Sequence, residues 1–92
     1  MMNETQEKIV NQTDLQFLRY IENQYGINRG VYNTIEQWFF EEKVDDIVKR
    51  RYYILCFLNY VFKDQKGTGR FGKKGLTSKL NQFWMKIDKD HI

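Results

Sequence analysis

A chain of 92 residues, 41% hydrophobic and 29% charged, has the size and make-up of one soluble globular domain with one modest core. Its single cysteine, Cys56, excludes an internal disulfide, so stability has to come from packing. The net charge of +3 hides a split: residues 1–46 hold nine acids and four bases, whereas residues 47–92 hold three acids and eleven bases. The split points to an anionic partner for the second half, or to two halves that attract each other within one fold.

The absence of proline suits long helices, and 16% aromatic residues let a short chain bury much area. Residues 1–12 are polar and are expected to fray, and no basic stretch followed by an apolar one marks a signal peptide there. A helix over about 13–25 is predicted by Thr13 as cap and Gln16 three residues on. Leu15, Leu18, Ile21, Glu22 and Tyr25 mark its inner side, with Phe17 beside them, and Gly26 stops it. Asn28 caps a second helix over about 29–42, with Val31, Ile35, Trp38 and Phe39 inward and Phe40 off the stripe.

A third helix is predicted over about 44–63, with Asp45 or Asp46 favoured at its start by the helix dipole. Val44, Ile47, Val48, Leu55, Leu58, Val61 and Phe62 share one face, and from Tyr52 onward only Asn59 is polar. This is the expected centre of the fold. Arg51 lies on the stripe, where its stem can cover apolar surface while its head reaches water. A strand over 52–62 is the rival reading, because its rings and branched side chains also suit a sheet. The run is too short to cross a bilayer, so the expectation is a cytoplasmic protein with no membrane partner.

Four glycines between residues 67 and 75 predict a basic loop or short hairpin over 63–76. Thr77 or Ser78 then caps a last helix over about 77–87, with Leu76, Leu80, Phe83, Trp84 and Ile87 inward. Residues 89–92 form a tail. The expected fold class is therefore all-α: one domain over 13–88, a bundle of three to four helices around a central apolar one.

The segment Ile21, Tyr25, Gly26, Ile27, Asn28, Arg29 and Ile35 resembles the helix-turn-helix of DNA-binding regulators over residues 18–37. Glu22 and Tyr32 stand where that family has a small and an aliphatic residue. The resemblance implies a second helix in the major groove, presenting Arg29, Asn33, Thr34 and Gln37 to base edges. The other reading of the segment is an ordinary helical hairpin with a glycine stop.

The loop carries Lys63, Lys66, Arg70, Lys73, Lys74 and Lys79, with Phe71 able to stack on a base. Lys49, Arg50, Lys86 and Lys89 extend this set. Gly67, Gly69 and Gly72 match a dinucleotide fingerprint, and Gly67, Gly72 and Lys73 most of a phosphate loop, but neither follows a strand. His91, the sole histidine, lies in the tail, so no catalytic base is indicated and the chain is read as not an enzyme. Glu41 with Asp45, and Glu42 with Asp46, have metal spacing only if one helix runs through them; no metal or cofactor is expected.

The reading is a small nucleic-acid-binding protein, for DNA or RNA, with self-association into a homodimer left open. The alternative is a protein-binding adaptor or inhibitor of the kind found among phage-type host-takeover proteins. It would act on a larger nucleic-acid-handling machine through Glu36, Phe40, Glu41, Glu42, Asp45 and Asp46.

Overall fold

In the computed structural model, which describes residues 3–62 and 73–87, every regular element is helical. Five helices follow one another: α1 (Glu4–Val10), α2 (Asp14–Tyr25), α3 (Arg29–Glu41), α4 (Ile47–Phe62) and α5 (Lys73–Lys86). The all-α bundle is as expected, and the strand reading of 52–62 falls away.

α1 corrects the expectation of a frayed start. Asn3 and Gln6 form a capping box: the Gln6 N–H donates to Asn3 Oδ1 at 2.8 Å, and the Asn3 N–H donates to Gln6 Oε1 at 3.0 Å. Val10 at its end is fully buried. Thr13 and Gln16 build the same box before α2. Gly26 ends α2 in the left-handed region, φ 67°, where a Cβ would be strained. Asn28 Oδ1 accepts from the Val31 N–H at 2.9 Å and starts α3.

The break between α3 and α4 is longer than expected. Lys43 takes φ 72° and its N–H donates to the Phe40 carbonyl; the Val44 N–H then reaches back to the Phe39 carbonyl at 3.2 Å. This is a Schellman closure with a lysine in the glycine position, and Val44 and Phe39 are both buried beneath it. Asp46 Oδ1 then accepts from the N–H groups of Val48 and Lys49, so α4 starts at Ile47 rather than near 44.

α5 starts one turn earlier than expected. Gly75 lies inside it, and Thr77 and Ser78 are interior positions rather than caps. A glycine costs a helix only about 1 kcal/mol relative to alanine, and Leu76 beside it is buried in the core, which offsets that cost.

α4 packs against each of the other four helices. Tyr52, Tyr53, Ile54, Leu55, Phe57 and Leu58 are all buried, as an element apolar on every side requires. Phe39 is the hub of the ring cluster: Tyr53 stacks on it at 5.8 Å, and Phe57, Phe83 and Trp84 meet it at 6.4, 6.2 and 5.8 Å. Two residues expected inside are not: Leu15 is 50% and Ile47 48% exposed. The buried stripe of α2 is centred on Phe17 and Ile21, which rotates Leu15 outward, and Ile47 is the first residue of its helix.

Arg51 also departs from expectation. Its head is buried rather than solvated, donating to the carbonyls of Val10 and Gln12 and pairing with the Asp14 carboxylate. The guanidinium lies 5.0 Å from the Phe17 ring centroid. No described helix is long and apolar enough to cross a membrane.

Candidate nucleic-acid interface

α5 is the described element with the clearest charge. Its fourteen residues, KKGLTSKLNQFWMK, contain four lysines and no acid. Leu76, Leu80 and Phe83 anchor one face in the core, leaving Ser78, Lys79, Asn81, Gln82, Met85 and Lys86 exposed on the other. Lys79, Gln82 and Lys86 are spaced i, i+3 and i+7, so they line one edge. Beside this edge lies Tyr60 of α4. Its ring rests on Phe83 at 5.7 Å, and the Lys86 ammonium lies 5.5 Å from the Tyr60 ring centroid. Lys86 Nζ also donates to Tyr60 Oη at 3.4 Å, at the long end of a hydrogen bond.

The neighbouring end of α4 is fixed from beneath. Tyr25 Oη donates to Asn59 Oδ1 at 2.7 Å. Burial, with smaller contributions from Tyr20 and Cys56, pushes the Tyr25 hydroxyl up to about 12. Cys56 is half-buried rather than deep in the core, and desolvation raises its thiol too.

The sequence-derived basic set divides. Lys79 and Lys86 are exposed on α5. Lys63, Lys66, Arg70, Phe71, Lys89 and His91, with the side chains of Lys73 and Lys74, lie outside the described residues, as do the glycine fingerprints ending at Gly72. Arg50 is withdrawn from the set. It is buried, with Nε donating to Glu36 Oε1 at 2.7 Å and Nη1 to the carbonyls of Val44 and Asp45. Burial and these three bonds turn the guanidinium inward, toward Glu36 and the α3–α4 turn. Lys49 is exposed but shares a hollow with Glu42, Asp45 and Asp46, which repel one.

The helix-turn-helix residues are also divided. Asn33 and Gln37 are exposed on α3 and line a shallow hollow with Thr34, Trp38 and Glu41. The Thr34 hydroxyl donates to the Gly30 carbonyl, and Gln37 Nε2 meets Glu41 Oε2 at 3.5 Å. Arg29 instead faces a cleft between α2, α3 and α4 that it shares with Asp14, Leu15, Tyr32 and Glu36. Tyr32 meets Phe17 of α2 edge-on at 6.1 Å, and burial raises its hydroxyl.

The acidic patch of the alternative reading is broken up as well. Glu36 is taken by Arg50 and Asp46 by the cap of α4, leaving Glu41, Glu42 and Asp45 exposed. The turn at Lys43 breaks the i, i+4 register of the paired acids. Phe40 is 50% exposed, as its place off the stripe implies, with the Arg50 guanidinium 5.4 Å from its ring centroid. Sequence reasoning misses Tyr60: Asn59 beside it is polar, but the ring itself reads as one more core aromatic.

One curated relative matches over most of the chain. The chain is 45% identical over 78 residues to the RNA-binding riboflavin kinase RibR of Bacillus subtilis (strain 168). The match takes in 80% of this chain and 34% of that protein, so the chain spans about a third of its relative's length. No family model matches the chain, and no solved structure does. The relative's name corrects one expectation: the chain was read as not an enzyme, and the protein it resembles carries the name of a kinase.

Proposed function

We propose that this chain binds RNA and that α5 is the element that meets the phosphates. The observation that carries the reading is the match over 80% of the chain to a protein named as RNA-binding. Of the two activities joined in that name, RNA binding is the one the described residues support. A helix of fourteen residues with four lysines and no acid offers phosphates attraction without a competing repulsion. The bases of 63–74 continue the same charge in sequence and belong to the same reading. Asn33, Thr34 and Gln37 on α3 offer a supplementary polar edge to unpaired bases, weakened by Glu41 beside them.

The test is a gel-shift titration of the purified chain with RNA and DNA oligomers of one sequence, at low and high salt. The expected result is an RNA complex that high salt dissolves, together with excess absorbance at 260 nm in protein purified at low salt. A clean preparation that shifts no RNA at low salt rejects the reading.

A further inference from the structure

The Tyr60–Lys86 pair lies at the rim of the core, with one side of the ring packed on Phe83 and Lys86 exposed, and its chemistry suits one ligand. We infer that it is a nucleotide clamp for single-stranded RNA, with an unpaired base stacking on the Tyr60 ring while Lys86 and Lys79 hold the flanking phosphates. The inference rests on the RNA-binding reading and deepens it by naming the strand state.

Three features of the site argue for it. First, the ring is pre-positioned. Tyr60 is half-buried against Phe83 in a helix that is otherwise core, so a base stacking on it orders no loose side chain. Second, the group now over the ring is replaceable. The Lys86 ammonium is exposed, sits on a flexible stem, and holds Tyr60 Oη only at 3.4 Å. A base can take its place over the ring while the ammonium swings to the adjoining phosphate. Third, Lys79 lies on the same edge, seven residues away, about 10 Å along the helix, with Gln82 between them and no acid on α5. Cation and ring side by side are of use to a splayed base, whose π-face is open. In an A-form duplex those faces are closed within the stack, and recognition falls to phosphates and 2′-hydroxyls.

The test uses the full chain and an RNA decamer carrying one 2-aminopurine, single-stranded or annealed to its complement. Affinity is read separately by anisotropy of an end label. Expected are tighter binding of the single strand than of the duplex, quenching of 2-aminopurine on binding, retention of both by Tyr60→Phe, and about a tenfold loss of affinity in Tyr60→Ala. Should Tyr60→Ala fail to fold by circular dichroism, the exposed Lys86→Gln carries the test through a shallower salt dependence on the single strand. RNA binding with equal affinity for strand and duplex, or unchanged by Tyr60→Ala in a folded protein, overturns the clamp and leaves the RNA-binding reading standing. Quenching of Trp38 and Trp84 emission without any effect of Tyr60→Ala also overturns it, by moving the stacking site to the indoles. No binding to either RNA brings down both.

Discussion

Arg51 Nη1 donates to the carbonyl of Val10 at 3.0 Å, a bond that spans 41 residues and ties α1 to the central helix. The same guanidinium bonds Gln12 and Asp14 and covers Phe17, so it closes the C-terminal end of α1 and the start of α2 together. Removing it would leave the buried Val10 carbonyl without this donor and uncover a ring. Arg51→Ala should therefore cost about 3 kcal/mol in urea unfolding, with amide exchange in α1 accelerating most. Asp14→Ala should cost far less, because that carboxylate is solvent-exposed. Equal effects would mean that the ion pair, not the carbonyl bonds, holds α1.

Gly75 stands in α5 with nothing within 4 Å of where a Cβ would lie. Alanine there gains helix propensity at no steric cost. Gly75→Ala should stabilise the protein by up to about 1 kcal/mol in the same denaturation measurement. A loss of stability would show that the position is crowded or not helical.

Tyr25 sets an alkaline limit. Burial raises its folded pKa to about 12 from 10, so the unfolded chain gives up this proton first as pH rises. The stability it contributes is complete below pH 10 and is lost as pH climbs through 12. Tyr32 and Tyr52 are shifted the same way, also by burial, and add to the trend. The melting temperature should fall across this window, and Tyr25→Phe should fall less steeply than the parent. Parallel profiles would assign the alkaline loss to other groups.

Local signals were legible and distant ones were not. Thr13, Gly26 and Asn28 act on backbone groups within four residues, so the limits of α2 and the start of α3 could be read directly. Asn3 and Gln6 carry a signal of the same kind, but its helix is seven residues long and is held by an arginine 41 positions away. Arg50 and Arg51 look like surface charge because their partners, Glu36 and the end of α1, are brought to them only by folding. Gly75 reads as part of the loop, yet it lies inside α5 beside the buried Leu76. The outward lysines of α5 follow from its period. Tyr60 does not, because apart from Asn59 its neighbours in α4 are apolar, and its place at an edge depends on how α5 packs.

The central claim is that the lysine edge of α5 meets RNA phosphates. The most direct measurement is the affinity of the chain for a single-stranded RNA across a range of salt concentrations, beside the Lys79→Gln/Lys86→Gln double variant. Both side chains are exposed, so the variant should keep the parent's helix content. The account predicts weaker binding and a log–log salt slope shallower by about 1.4, the release of two phosphate contacts. An unchanged slope with unchanged affinity would contradict it.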